Sequence, residues 1–318
     1  MEDDTAEGRR ATLRTVGDRP VLRFERRLAH SPEKVWRAVT DPAEMVRWFP
    51  AAVETEQVVG AEMRFTFEGG NAPTHGRILE LDPPKVYAFR WNQDVLRFEL
   101  LPDGPGCRLV FTHTLGGGWA GRLTAGRTAA GWDVCLTALL AGLDGEPTEP
   151  PSGWADRVGA YVEVFGLAEG ETRRSGDGHL VRFARDLMWR PVEEVWDILA
   201  ERDAPRPGAK PPVWFTNPYV PAGPVTEAVA PRVLEYEWLH DGEPAGRVRW
   251  ELTHDPALGT RVVLTQTVPA RLADLRATAL AAWQAHLEAL FAAVQGELRR
   301  QPEDRVEELR KLYEHRLG

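Results

Sequence analysis

The sequence predicts two tandem α+β domains, each a curved antiparallel sheet wrapped around one long C-terminal helix, with the second copy shorter by about one hairpin. Three observations predict it: an internal repeat, a hydrophobic period of two through the middle of each copy, and one helix-spaced apolar stripe near each copy's end. PKVYAFRW, from Pro84 to Trp91, returns as PRVLEYEW, from Pro231 to Trp238. Upstream, Gly76 and Glu80 match Gly223 and Glu227; downstream, VLRFEL from Val95 answers RVRWEL from Arg247, and GCRLVFTHT from Gly106 answers GTRVVLTQT from Gly259. The order is preserved throughout.

Each copy opens alike, LRFERRLAHSPEKVW from Leu22 against VRFARDLMWRPVEEVW from Val181. Leu22 to Ala29 reads as a strand. Ser31 then caps a helix with Pro32 and Glu33 in its first turn, where a fixed φ and a negative charge suit the helix start. A second short helix begins at Asp41-Pro42 and ends near Trp48-Phe49-Pro50. Strand alternation follows: Met63, Phe65, Phe67; then Tyr87, Phe89, Trp91; then Leu96, Phe98, Leu100. Such a period of two marks half-buried antiparallel strands. Turns at Glu68–Asn71, Asp82-Pro-Pro and Asp103-Gly-Pro-Gly separate them. The closing helices share one stripe, Leu136, Leu139, Leu140 and Leu143 after Trp132, and Leu287, Leu290, Phe291 and Val294 after Trp283. Between Trp214 and Pro231 the second copy lacks roughly one hairpin relative to Trp48–Pro84, and a Pro-rich insertion, APRPGAKPP from Ala204, stands before it.

The expected domains are residues 20–167 and 179–318, with residues 1–19 as a disordered arm and 168–178 as a polar, Gly-containing linker. At 318 residues with 43% hydrophobic side chains, the chain can bury two cores. A net charge of −9 opposes a phosphate-binding surface, so no nucleic-acid partner is expected. No long apolar run or apolar leader is present, which predicts a cytoplasmic protein with no membrane partner. Cys107 and Cys135 are too few for a disulfide framework or a zinc site.

At PEKVW, WF, PKVYAFRW and GWDVCLTALL the chain resembles the SRPBCC or START-like superfamily, in the branch named after the heat-shock protein 90 ATPase activator homologue. The resemblance implies a helix-grip fold with a cavity between sheet and long helix. It covers nearly all of the first copy and less of the second. Superfamily members include lipid and hormone carriers, polyketide aromatases and cyclases, antibiotic-intercepting proteins and co-chaperones.

The residues placed against such a cavity are Phe65, Phe67, Phe89, Trp91, Phe98, Phe111, His113, Trp132 and Leu136 in the first copy, and Trp238, Trp250, Gln266, Trp283 and His286 in the second. His113 and Gln266 occupy matching inward strand positions; each reads either as a ligand contact or as a side chain bonded within the fold. His286, on the apolar stripe where the first copy has Cys135, reads foremost as a core histidine. The Trp pairs 36/196, 48/214, 91/238 and 132/283 repeat and so read first as core. GGGWAG from Gly116 lacks the Lys-Ser/Thr of a phosphate loop, and no GxSxG, HExxH, CxxC or dinucleotide pattern occurs. Glu80 and Glu227 recur but belong to different copies. The tail Gln301–Gly318 reads as a helix with Val306, Leu309, Leu312 and Tyr313 on one side.

No catalytic residue, metal or cofactor is assigned. The leading reading is a non-catalytic module enclosing a hydrophobic small molecule in the first copy, with intramolecular contact between the domains. An aromatase or cyclase using His113, and a protein-binding module with a chaperone partner, are the alternatives.

Overall fold

The computed structural model describes residues 11–69, 72–147, 152–201, 204–297 and 304–318. It divides into two units, Met1–Phe165 and Gly166–Gly318. Each is an antiparallel sheet with helices, as the sequence predicts.

In the first unit β1 (Thr12–Val16) and β2 (Arg19–Leu28) lead to α1 (Pro32–Thr40) and α2 (Pro42–Met45). The Ser31 side chain accepts the Lys34 N–H, and the Asp41 side chain accepts the Ala43 N–H, so both helices start on the caps the sequence marks. Then come β3 (Ala52–Thr55), β4 (Glu62–Thr66), β5 (Thr74–Asp82), β6 (Val86–Trp91), β7 (Asp94–Asp103) and β8 (Gly106–Thr114). Three helices close the unit: α3 (Gly118–Leu123), α4 (Ala125–Asp144) and α5 (Trp154–Val164). The eight strands order as β1-β2-β8-β7-β6-β5-β4-β3. Helix α4 ends at Gly145, whose left-handed φ of 76° lets its N–H reach back to Ala141 and Gly142 carbonyls.

The second unit repeats this plan with β9 (Glu171–Ser175), β10 (Gly178–Asp186), α6 (Val192–Ala200), β11 (Ala222–Val229), β12 (Val233–His240), β13 (Glu243–Asp255), β14 (Gly259–Pro269), α7 (Arg276–Val294) and α8 (Arg305–Leu317). Its order is β11-β12-β13-β14-β10-β9. The counterparts of β3 and β4 are absent among the described residues, which is the hairpin the sequence lacks. The bared edge is not left open. In the first unit Gly60 N–H bonds the Ile78 carbonyl and Ile78 N–H the Ala61 carbonyl; in the second, Gly208 N–H bonds the Val225 carbonyl and Val225 N–H the Ala209 carbonyl. The Pro-rich insertion thus supplies, from a different place in chain order, the same two edge bonds.

Several expectations need correction. Thr12–Val16 and Glu171–Ser175, read as parts of an arm and a linker, are edge strands paired with β2 and β10. Both are almost wholly exposed, so no apolar alternation announces them. Their shared signal is a Gly-Asp turn, Gly17-Asp18 and Gly176-Asp177, with both glycines at positive φ. Residues 1–10 of the expected arm lie outside the described residues, as do residues 70 and 71 of the Glu68–Asn71 turn. In β5 a register shift between Ile78 and Glu80 turns Leu79 outward and leaves His75 exposed, against the expected shared face with Leu79 and Leu81. In α8, Leu309 and Tyr313 are buried on their own unit, whereas Leu312 is exposed.

Candidate functional site: the inner face under the long helix

Strand alternation delivers one row of rings to the inner face of the first sheet. Phe65, Phe89, Phe98 and Phe111 are buried, one from each of β4, β6, β7 and β8. They stack in sequence: Phe65–Phe89 at 5.9 Å between centroids, Phe89–Phe98 at 6.3 Å and Phe98–Phe111 at 4.6 Å. Trp132 of α4 closes edge-on onto this row, its ring centroid 4.6 Å from that of Phe111. Leu136, one turn on, is also buried. At the β4 end Trp91 stacks between Phe65, at 4.6 Å, and Phe67, at 5.7 Å, and its indole N–H donates to Thr74 Oγ1 at 2.7 Å. Trp91 and Phe67, the latter just past the end of β4, are only half-buried, so the ring system reaches the surface there.

Sequence reasoning missed two residues of this face. Phe49, after α2, touches Phe65, Phe89, Trp91 and Trp132 at 5.5 to 6.2 Å. Its signal was the WF pair at the helix end, which recurs as Trp214-Phe215. Tyr87 is fully buried beside Phe89 and Trp36, and its hydroxyl has no hydrogen-bond partner. Burial alone pushes its pKa far above the usual phenol range. The second copy has Leu234 at that position, so a comparison of the copies could have singled it out.

The polar residues chosen from sequence are tied inside the fold. Trp132 donates its indole N–H to His113 Nδ1 at 2.7 Å, and His113 Nε2 meets Asp94 Oδ2 at 2.9 Å. An indole N–H can only donate, so Nδ1 is the acceptor and the ring proton lies on Nε2, facing the carboxylate. Asp94 Oδ1 in turn accepts the Gly116 N–H at 2.6 Å, anchoring the glycine-rich segment. In the second unit Trp283 donates to Gln266 Oε1 at 2.7 Å. The shared inward polar position is therefore the acceptor for the long helix's tryptophan.

Around it the second unit is more completely satisfied. The Phe215 carbonyl accepts both Tyr236 O–H, at 2.8 Å, and Trp250 N–H, at 3.0 Å. Trp238 donates to the Thr267 carbonyl at 2.8 Å. His286 Nε2 bonds the Trp214 carbonyl at 2.8 Å, and burial lowers its pKa with that hydrogen bond opposing. It sits edge-on to Trp250 and Trp283, as a core histidine does.

Other candidates fall outside this face. Burial pushes the Cys135 thiol up to about 12 and raises that of Cys107, so both are poor nucleophiles. Glu80 and Glu99 flank Arg97, at 3.3 and 2.6 Å, as Glu227 and Glu251 flank Arg249, at 2.6 and 3.0 Å. These carboxylates are one repeated ion-pair ladder. His75 lines an open pocket of about 250 Å³ with Glu62, Gly76, Arg77, Arg90 and Asn92. Among the described residues no helix is long and apolar enough to cross a membrane.

Residues 29–144 match the family model described as Activator of Hsp90 ATPase homolog 1-like protein. No curated protein matches the chain significantly. Among solved structures, a conserved protein of unknown function from Enterococcus faecalis is 21% identical, with 49% of this chain and 90% of that one covered at a TM-score of 0.43. CalU16 from Micromonospora echinospora is 21% identical, with 50% and 94% covered at 0.40. The Aha1 dimer from Colwellia psychrerythraea is 21% identical, with 39% and 95% covered at 0.33. The matched segment has the helix-grip architecture, an antiparallel sheet closed by one long helix.

Proposed function

We propose that this chain is a non-catalytic binding protein whose first unit takes up a small apolar or aromatic molecule against the inner ring face. The observation that carries this reading is Tyr87: a fully buried hydroxyl, without a partner, among stacked rings. An unpaired buried hydroxyl costs about 1–3 kcal/mol, so a fold that keeps one gains when a ligand acceptor arrives. Trp91 and Phe67, stacked and half-buried, give a planar molecule its entry beside the β3–β4 hairpin. The ligand is then mostly apolar, with one carbonyl or ether oxygen for Tyr87.

A proton-transfer role for His113 is less well supported, because both ring nitrogens are engaged by Trp132 and Asp94. Thermal-shift screening of planar apolar compounds against the full chain tests the proposal. Stabilisation is expected for compounds bearing an acceptor, with about tenfold weaker binding in Tyr87→Phe and loss of binding in Trp91→Ser. If no apolar compound stabilises the chain, or if Tyr87→Phe binds every hit as well as the parent, the reading fails.

A further inference from the structure

The two copies place an arginine at the same inward strand position but leave it in different company. Leu22, Phe24, Arg26 and Leu28 of the first unit match Val181, Phe183, Arg185 and Leu187 of the second, and all eight are buried. Arg26 is met by a carboxylate: its Nη2 donates to Asp133 Oδ1 at 3.0 Å and its Nη1 to the Glu25 carbonyl at 2.9 Å. Arg157 donates to the other oxygen of Asp133 at 2.7 Å.

In the second unit the position after the long helix's tryptophan is Gln284, not an aspartate. Its Oε1 accepts the Tyr313 hydroxyl at 2.6 Å and its Nε2 donates to Glu288 at 3.1 Å. The Glu288 carboxylate is itself gripped by Arg305, at 2.9 and 3.0 Å. Arg185 is left 7% exposed, with no hydrogen-bond partner at Nε or Nη1. Burial draws its pKa down to about 10, with Glu288 and Tyr313 opposing, so the group stays cationic at neutral pH. Glu288, the carboxylate that acts on Arg185, is itself held by Arg305, and a buried guanidinium whose Nε and Nη1 lack acceptors is disfavoured unless something supplies them.

We infer that Arg185 is the receptor for a small carboxylate-bearing molecule, which takes in the second unit the place that the Asp133 side chain holds in the first. The chemical class follows from the copy itself, since a carboxylate is what satisfies the matched arginine. A side chain only 7% exposed limits the guest to a small molecule. This site is separate from the ring face of the first unit, and its test is independent of the reading given there.

The test is thermal unfolding of the full chain in formate, acetate or phosphate against chloride at equal ionic strength. Formate about tenfold above its Kd is expected to raise the second unit's melting temperature by about 3–6 °C over chloride. Gln284→Asp, which restores the first unit's carboxylate, is expected to raise the melting temperature by itself and to lose the formate response. Arg185→Leu, which removes the guanidinium, is expected to lose the response as well. A phosphate response without a formate response would overturn the carboxylate assignment. A wild-type response no larger than chloride's, or one that persists in either variant, would overturn the site.

Discussion

Along the ring face the first unit keeps a loose end that the second has tied. In the second, the Tyr236 hydroxyl, the Trp250 indole and the Trp238 indole are all spent on backbone carbonyls, and the position of Tyr87 is taken by Leu234. In the first, the matching rings Phe89 and Phe98 carry no polar atoms, Tyr87 has a hydroxyl with nowhere to go, and two half-buried rings reach the surface. Beneath the long helices the contrast reverses: Arg26 is bonded to Asp133, whereas Arg185 has no acceptor at Nε or Nη1. The two copies thus share a frame but differ in which buried polar atoms go without a hydrogen-bond partner. Buried polar atoms without partners are costly, so where they persist is where a second molecule is best accommodated.

The largest test of this contrast is removal of the long helix's tryptophan. Trp283→Ala, at a site 0% exposed, should cost the second unit about 3–5 kcal/mol, read as a shift in denaturant midpoint. Trp132→Ala, at a site 5% exposed, should cost less. Next in size are the acceptors. His113→Leu and Gln266→Leu each leave an indole N–H unpaired and should cost about 1–3 kcal/mol, whereas His113→Gln, which borrows the other copy's solution, should cost under about 1 kcal/mol.

Tyr87→Phe should do the opposite and stabilise the unliganded first unit by about 1 kcal/mol, with Leu234→Tyr destabilising the second. For His286, burial holds the folded pKa below the ordinary 6.5, so the unfolded chain binds the proton first. Its contribution is complete above pH 6.5 and lost as pH falls through the folded value. His286→Gln should flatten that part of the second unit's melting profile. Arg249→Ala should change stability by less than about 1 kcal/mol, because its ladder faces water.

Much of the site was legible beforehand because strand period and helix spacing assign faces without coordinates. Phe65, Phe89, Phe98, Phe111 and Trp132 meet where their alternation puts them. Tyr87 lay on the same alternation and was passed over, since a tyrosine among phenylalanines looks like any other ring until its hydroxyl is followed to its surroundings. His113 was legible as inward but not as occupied: its partners, Asp94 and Trp132, are distant along the chain. The edge strands Thr12–Val16 and Glu171–Ser175 escaped because a strand exposed on both faces carries no apolar rhythm.

The sequence by itself determined the duplication, the fold of each copy, the missing hairpin and most residues of the inner face, since these rest on periodicities that local geometry enforces. Only the tertiary structure decided which of those residues still lack a partner. Satisfaction of a buried hydroxyl or guanidinium depends on atoms brought within about 3 Å from elsewhere in the chain, and no local pattern encodes whether they arrive.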